Sequence, residues 1–418
     1  MARGATLGWF GLVPAGAAPE ASLLLGSRAL RAFGDGLVSL LLPVHLAGLG
    51  FGPIEIGALA TATLFGSAAL TLMVGVLAHR LPGRGSLVGA ALLMVLTGLS
   101  FPLVEGFWPL LLIAFVGTIN PSSGDVSVFL PLEHARLAHA VPDRQRTGLF
   151  AHYSLIGSLS AAVGALCAGG PEWLAAATGI APGTAVEGAF VLYALLGLGS
   201  LLLYRRLPET RPDDASAPAE PLGRSRGIVL RLAALFSLDA FAGGLIVQSL
   251  LALWLFDRFG LSLAAAGAIF FWTGVLSAAS YLVAVRIAAR IGLINTMVFT
   301  HLPANVCLVL VPFAPDLGTA VALLLVRSLL SQMDVPTRTS YVMAVVTPGE
   351  RAAAASVTAV PRSLASALAP LLAGNLLALS GFGWPLVLGG GLKIIYDLML
   401  LGLFRKVRPP EEEQHSQS

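Results

Sequence analysis

Long uninterrupted apolar runs recur along this chain, and they limit its possible folds more than any other feature. A membrane-crossing α-helix needs about 20 mostly apolar residues to span the hydrocarbon layer. Windows of that size give twelve candidate spans, and continuous rather than alternating runs predict helices and not β-barrel strands. The predicted spans lie near residues 23–48, 55–78, 86–104, 107–131, 148–169, 187–204, 228–255, 263–285, 294–313, 318–345, 352–378 and 384–404.

The composition excludes several classes of protein. Only 11% of the residues are charged and 56% are hydrophobic, whereas an ordinary soluble domain carries about 25% charged residues. A soluble enzyme, a disordered chain and a nucleic-acid binder are therefore excluded. The sequence also lacks G-x-x-x-x-G-K-[ST], H-E-x-x-H and G-x-S-x-G, which argues against an ATP-driven pump or a hydrolase. We expect no cofactor and no bound metal, because Cys167 and Cys307 lie in apolar runs.

Positive charge alternates between the connecting loops. One set of loops, together with the tails, carries many arginines, whereas the opposite set carries only Arg258. By the positive-inside rule, both termini face the cytoplasm, and we expect a multi-pass protein of the bacterial inner membrane. The cations of the first set include Arg80, Arg84, Arg136, Arg144, Arg146, Arg205, Arg206, Arg224, Arg226, Arg286, Arg290, Arg351 and Arg405.

The segment 205–227 is a long polar stretch that separates two groups of six spans. It contains proline, serine and acidic residues and is typical of a flexible linker. We therefore predict an N-terminal six-helix bundle over 1–204 and a C-terminal six-helix bundle over 228–404. Residues 405–418 are predicted to form a cytoplasmic tail.

The two halves repeat at an offset of about 205 residues. Polar landmarks coincide: the matched pairs are Asp35 with Asp239, Arg80 with Arg290, and Asp125 with Asp334. Spans 4 and 10 each also carry polar residues at positions i, i+4 and i+7, which share one helical face. These residues are Thr118, Ser122 and Asp125 in span 4, and Arg327, Ser331 and Asp334 in span 10, where Arg338 follows. Duplicated bundles around a site at mid-membrane are typical of secondary carriers.

The loop after span 2 has a recognisable pattern. It reads Gly75-Val76-Leu77-Ala78-His79-Arg80-Leu81-Pro82-Gly83-Arg84 and resembles the Gly-x-Leu-x-Asp-Arg-x-Gly-Arg-Arg/Lys pattern of the major facilitator superfamily. His79 and Pro82 stand where that family has aspartate and glycine. The resemblance implies an all-α integral membrane fold of twelve transmembrane helices in two six-helix pseudo-symmetric bundles. It also implies a monomer that binds a small-molecule substrate by alternating access.

The same resemblance assigns roles to particular residues. It implies a cytoplasmic gate formed by Gly75, His79, Arg80, Arg84, Asp125 and Arg290. Drug/proton antiporters of this architecture carry an arginine in span 4, where this chain has Thr118, and Arg327 stands at the symmetric position in span 10. Span 5 carries part of the antiporter glycine and proline motif, which favours efflux. The motif residues are Gly157, Gly164, Gly169, Gly170 and Pro171.

Charged residues inside a span are costly and mark candidate functional positions. The resemblance places spans 1, 4, 7 and 10 around the central cavity, and each of them carries an acid that could bind and release a proton. We predict a proton-coupling and substrate cavity formed by Asp35, Asp239, Arg327, Asp334, Thr118, Ser122 and Ser331. In this prediction Arg327 contacts an anionic substrate or an acid of the other half.

Structural alternatives remain for each of these residues. Asp35 could pair with Arg31, four residues earlier on the same helix face, and Asp239 could form an interhelical hydrogen bond. Asp334 and Arg338 could form a structural i, i+4 pair. The i, i+4 spacing of Lys393 and Asp397 favours a local salt bridge in span 12. A structural pairing, for instance with carbonyls freed by the neighbouring proline, is likewise expected for Arg362.

Three hypotheses about function follow. The leading one is a secondary carrier that uses the proton gradient to export a small organic compound through the lipid bilayer. The second is proton-coupled uptake of a small, anionic nutrient. The third, from another class, is a non-transporting membrane sensor or scaffold on a carrier fold. The first two need the substrate and protons as partners, and none needs nucleic acid.

Overall fold

The computed structural model describes residues 18–77, 83–122, 128–141, 143–209, 222–223 and 225–405. These residues form helices joined by short connections, and none of them lies in a β-strand. The helices of the first half are α1 (Pro19–Gly48), α2 (Pro53–Leu77), α3 (Gly83–Ser100), α4 (Phe107–Val116), α5 (Phe129–His139), α6 (Asp143–Leu166), α7 (Gly170–Thr178) and α8 (Pro182–Arg205). Those of the second half are α9 (Arg226–Gly244), α10 (Gln248–Phe259), α11 (Leu263–Ile291), α12 (Leu293–Leu310), α13 (Leu317–Ser331), α14 (Asp334–Ala344), α15 (Arg351–Leu379) and α16 (Trp384–Phe404).

The helices confirm the predicted membrane-spanning fold. Among the described residues, 10 helical segments are long and apolar enough to cross a membrane. The shorter apolar helices α4 and α13 begin the predicted spans 4 and 10. Large apolar side chains such as Leu103, Trp108 and Leu379 are more than 70% exposed on the outer surface, where lipid chains can cover them.

Local sequence explains where several helices begin and end. Proline occupies the first position of α1, α2 and α8, where its missing N–H leaves no helical hydrogen bond unmade. The side chain of Asp316 caps α13 by accepting a hydrogen bond of 2.9 Å from the backbone N–H of Thr319. Gly260 ends α10 with a φ of 62°, a left-handed conformation that favours glycine.

The predicted span 4 is interrupted, which corrects one sequence-based expectation. Helix α4 ends at Val116, and residues 117–122 are not helical, so Thr118 and Ser122 do not share a helical face. Asp125 lies outside the described residues. A side chain at Gly117 would lie 2.6 Å from the hydroxyl of Thr97, so the close approach to α3 requires glycine where the chain leaves the helix.

Spans 10 and 7 are interrupted as well. Helix α13 ends at Ser331 and α14 begins at Asp334, so this acid stands in the first turn of a new helix. Helix α9 ends at Gly244 and α10 begins at Gln248. Spans 4 and 10 are symmetry-related positions of the two halves, and breaks at such positions frequently mark the binding region of a carrier.

The two bundles contact each other mainly through three helix pairs, α2 with α15, α6 with α11, and α1 with α10. We call the end of the molecule near Pro53 and Leu379 the far end, and the opposite end, near Arg205 and Arg226, the linker end. At the far end, a side chain at Gly57 would lie 2.6 Å from the carbonyl oxygen of Pro370. The close contacts between the bundles thus concentrate at the far end.

Small residues make this contact possible. A side chain at Gly374 would overlap the carbonyl oxygen of Pro53, and one at Gly267 would lie 2.7 Å from the carbonyl oxygen of Ala165. The hydroxyl of Thr61 accepts a hydrogen bond of 2.9 Å from the backbone N–H of Leu371. Backbones of different bundles therefore touch directly, as small residues allow in membrane helices.

The end of the linker is tied to the second bundle by Glu350. This carboxylate is 5% exposed and accepts a hydrogen bond of 2.5 Å from the backbone N–H of Gly223. Hydrogen bonds from the Ser225 side chain and the Gly223 N–H hold the pKa of Glu350 below its usual value. Since the folded pKa is lowered, this interaction is present above the ordinary glutamate pKa and is lost as the pH falls through the lowered value.

A Glu350→Gln variant tests this tie between the linker and the second bundle. We expect amide hydrogen exchange around Gly223 to be several-fold faster in the variant at neutral pH, and the wild type to approach the variant on acidification. Hydrogen-exchange mass spectrometry, corrected for intrinsic rates, measures the effect. Glu209→Gln, at a side chain that is 72% exposed, is the matched control, and equal protection in all three proteins would disprove the role of Glu350.

Candidate charged site

A buried network of charges joins four helices of the second bundle. Asp239 of α9 contacts Lys393 of α16 at 2.5 Å and Arg338 of α14 at 3.0 Å. Arg338 also contacts Asp334, four residues earlier, at 3.4 Å. The predicted i, i+4 pair of Asp334 and Arg338 is thus present, and the expected interhelical contact of Asp239 is a double ion pair. Two cations beside one carboxylate stabilise its charged form.

A second polar cluster lies one helical turn further along α16. Nδ1 of His301 is 2.9 Å from Oδ1 of Asp397, and the amide of Asn305 donates to Oδ2 of Asp397 at 3.0 Å. The expected local salt bridge between Lys393 and Asp397 is therefore wrong for this conformation, because Lys393 instead contacts Asp239 on α9. Sequence spacing identified the two residues but not their partners.

Arg362 of α15 lies beside the charge network without entering it. Arg338, Asp239 and Asp334 are close enough to interact with its guanidinium electrostatically. Among the described residues no hydrogen bond or ion pair is formed by Arg362, so the expected structural pairing is not found there.

The first bundle carries its own buried ion pair. Arg31 of α1 pairs with Glu133 of α5, and both side chains are almost fully buried. The hydroxyls of Tyr153 and Tyr204 donate to the same carboxylate at 2.5 Å and 2.7 Å. The sequence analysis did not identify Glu133, which lies two residues beyond the predicted end of span 4 at residue 131. The signal available in the sequence was an acid close to that end and three residues before Arg136.

Arg31, the partner considered for Asp35, forms an ion pair with Glu133, whereas Asp35 itself is less than 10% exposed on α1. It interacts electrostatically with Arg31 and with Tyr193 of α8. One turn further along α1, Ser39 accepts a hydrogen bond of 3.0 Å from Gln248 of the second bundle. Asp35 and Ser39 therefore lie on one face of α1, and Ser39 on this face contacts the second bundle.

The two halves use the same kinds of residue in exchanged positions. Arg31 of α1 stacks at 4.0 Å on the ring of Phe129 of α5, whereas Arg338 of α14 stacks at 5.5 Å on the ring of Phe236 of α9. The cation lies on the first span of one half and on the fourth span of the other. Both halves thus contain a cation–aromatic contact between these two spans, with the cation on opposite members of the pair.

The other predicted cavity residues are dispersed. Thr118 accepts a hydrogen bond of 3.0 Å from Tyr193 through its backbone carbonyl, and Ser122 hydrogen-bonds to Asn120 at 2.7 Å. Arg327 is half-buried near Cys307 of α12, and its Nε forms no hydrogen bond within the described residues. The Ser331 hydroxyl is buried without a hydrogen-bond partner there. Asp239 and Asp334 are joined through Arg338, and Tyr193 hydrogen-bonds to Thr118 and interacts electrostatically with Asp35.

The predicted gate residues are only partly described. His79, Arg80 and Asp125 lie outside the described residues, Gly75 is in the last turn of α2, and Arg290 is exposed near the end of α11. Arg84 of α3 donates a hydrogen bond of 3.4 Å to the carbonyl of Leu207. It also contacts Glu209 at 3.5 Å. In this conformation Arg84 therefore binds the start of the linker.

The interior of the described chain holds no group of three or more His, Cys, Asp or Glu side chains placed to bind a metal ion. An apolar groove of about 440 Å³ opens between α1, α6 and α8, and residues such as Phe33, Leu159 and Val163 line it. None of the charged groups described above contributes to this groove. The charge network, and not the groove, is the candidate functional site.

Membrane-spanning helices in two bundles, with buried charges at interrupted spans, are typical of secondary membrane transporters. The family model described as Major Facilitator Superfamily matches residues 24–331 and 233–418. The chain belongs to this superfamily and is one of its transporters.

Individual similarities are more distant. The uncharacterized membrane protein YJR124C of Saccharomyces cerevisiae is 24% identical over 424 residues, which cover 93% of this chain and 94% of that protein. The putative multidrug resistance protein MdtD of Yersinia enterocolitica is 27% identical over 205 residues, 47% of this chain and 42% of that protein. The crystal structure of the nucleoside transporter NupG superposes with a TM-score of 0.68 at 14% identity, covering 93% of this chain and 99% of NupG. At this identity the structural likeness shows the fold alone.

Proposed function

We propose that this transporter is a proton-coupled carrier that exports a small organic compound by alternating access. The observation that carries the proposal is the buried network of Asp239, Lys393, Arg338 and Asp334, with Arg362 close enough to interact with it electrostatically. Buried ionisable groups in membrane helices are costly and are typically retained where a proton or substrate passes. A network that can exchange partners between bound states supplies the charges that such coupling needs.

The orientation and direction belong to this proposal. The arginine-rich connections favour an inner-membrane protein with cytoplasmic termini, so the linker end would face the cytoplasm. The described contacts between the bundles concentrate at the far end. This is the arrangement of a carrier open towards the cytoplasm, ready to accept a compound for export. The similarity to MdtD, a putative multidrug resistance protein, also favours export.

Arg327 and Arg362 favour a second candidate, the proton-coupled uptake of a small anionic nutrient. Neither guanidinium forms an ion pair within the described part of the chain. An unpaired arginine at membrane depth is well suited to binding a carboxylate or phosphate group. An Arg327→Gln variant that loses only uptake of an anion would favour this candidate over export.

Transport in vesicles tests the proposed function. A growth-protection screen in a strain without its own exporters first identifies a compound. Everted vesicles with an imposed pH gradient should then concentrate this compound, and dissipating the gradient should abolish its accumulation. We expect at least one of Asp35→Asn, Asp239→Asn and Asp334→Asn to reduce accumulation at least tenfold. Asp316→Asn, at the exposed helix cap, is the matched control. Full accumulation by all three variants would refute proton coupling through these acids.

A further inference from the structure

The cluster of His301, Asp397 and Asn305 is not used by the network around Asp239, although it lies next to it. His301 is 3% exposed and Asp397 is fully buried, so an ionisable pair is enclosed between α12 and α16. Lys393, which binds Asp239, precedes Asp397 by one helical turn. Ionisable groups inside a membrane bundle are costly, and they are typically retained where they are paired or functional.

Hydrogen-bond geometry gives this cluster an unusual property. Nδ1 of His301 lies 2.9 Å from Oδ1 of Asp397 and 3.1 Å from the amide nitrogen of Asn305. A protonated Nδ1 can donate to the carboxylate, whereas a bare Nδ1 can accept from the amide, so each protonation state finds a partner. Within the part of the chain that the structure describes, the amide oxygen of Asn305 is buried without a hydrogen-bond partner, and it is available when hydrogen bonds rearrange. The cluster can therefore gain or lose one proton without leaving Nδ1 unsatisfied.

The charge of this cluster acts on Lys393. With neutral His301 and ionised Asp397, the cluster carries one negative charge, and Asp397 stands at i+4 from Lys393, the spacing of a helical salt bridge. When one proton from water binds the imidazole, the His301–Asp397 pair becomes neutral overall and attracts Lys393 less. Lys393 then contacts Asp239, as in the structure, where Nζ is 2.5 Å from Oδ1.

Other charged groups lie near the His301–Asp397 pair and belong to the same electrostatic network. Asp239 of α9 interacts electrostatically with both His301 and Asp397. Arg338 and Asp334 of α14 and Arg362 of α15 surround Asp239, and the ring of Tyr396 is 6.1 Å from that of His301. Arg338 already contacts both Asp239 and Asp334, whereas Lys393 contacts Asp239 and has a further acid, Asp397, one turn away on its own helix.

We propose that His301, Asp397 and Asn305 form a proton-binding site whose occupancy determines whether Lys393 pairs with Asp239 or with Asp397. The proposal deepens the proposed function and rests on its proton coupling. It assigns the observed structure to the proton-loaded state. Loss of the proton draws Lys393 to Asp397 and releases Asp239, so that the contact between α9 and α16 weakens and α9 can move.

The sequence makes a direct test possible, because Lys393 and Lys406 are the only lysines. In full-length protein with Lys406→Arg, reconstituted in lipid nanodiscs without substrate, isotope-labelled lysine reports Lys393 by NMR as a single side-chain signal. The proton alone is the probe, between about pH 8 and about pH 5, where histidine ordinarily changes charge. We expect the signal to move between two positions in the wild type. In Asp397→Asn and in His301→Gln, it should show less than a tenth of that change.

Two variants complete the design. Asp316→Asn, at the exposed cap of α13, is the matched control and should retain the full response. Asp239→Asn removes the other partner, so Lys393 should keep the high-pH signal position under acidic conditions. A wild-type signal that does not move, or a full response in either His301→Gln or Asp397→Asn, would overturn the proposal. Because no substrate or gradient is used, failure of wild-type transport in vesicles refutes the proposed function separately from this site.

Discussion

Replacing Glu133 by alanine is expected to destabilise the protein by about 3–5 kcal/mol, the usual cost of removing one partner of a buried ion pair. Arg31 would lose its buried partner, and the hydroxyls of Tyr153 and Tyr204 would lose the carboxylate to which they donate. The free energy of unfolding, measured by SDS titration of the detergent-solubilised protein, provides the test.

A double variant separates the cost of the unpaired charge from that of lost packing. Arg31→Met combined with Glu133→Leu removes both charges and keeps apolar volume between α1 and α5. We expect it to be more stable than Glu133→Ala, since no uncompensated charge remains in the interior. A Glu133→Ala protein within about 1 kcal/mol of the wild type would show that the pair contributes little.

The second large effect is expected from Gly374→Leu. A side chain there overlaps the carbonyl oxygen of Pro53 and lies 3.1 Å from the Cα of Gly57, so the far end cannot close as observed. We expect the population to shift towards the state that is open at the far end, and transport to fall at least tenfold. Spin labels at Ala47 and Leu379, with Cys167 and Cys307 replaced by serine, measure the separation at this end.

Gly391→Leu provides the matched control for this substitution. Gly391 is also inside a helix, and a Cβ added there has no neighbouring side chain or other helix within 4 Å. Both substitutions raise helix propensity by about 1 kcal/mol, so the difference between them reports the contact between the bundles. Wild-type distances and transport in Gly374→Leu would show that closure at the far end does not depend on this contact.

The exchanged polarity of the two halves bears on how such a carrier could move. In the first bundle a cation on α1 meets an anion on α5, and in the second an anion on α9 meets a cation on α14. Glu133 also has two tyrosine donors, whereas Asp239 has two cations that have other acids within reach. We therefore expect the first bundle to hold its pair rigidly and the second bundle to exchange partners.

Sequence alone predicted the membrane-spanning helices and the superfamily, because apolar runs are a local property that lipid and water sort in a uniform way. It also found the i, i+4 contact of Asp334 with Arg338, which depends only on helix geometry. The tertiary structure decided the other pairings. Arg31 meets Glu133 102 residues away, and Lys393 meets Asp239 154 residues away. Such partners depend on which helix faces pack together, which spacing along one helix does not contain.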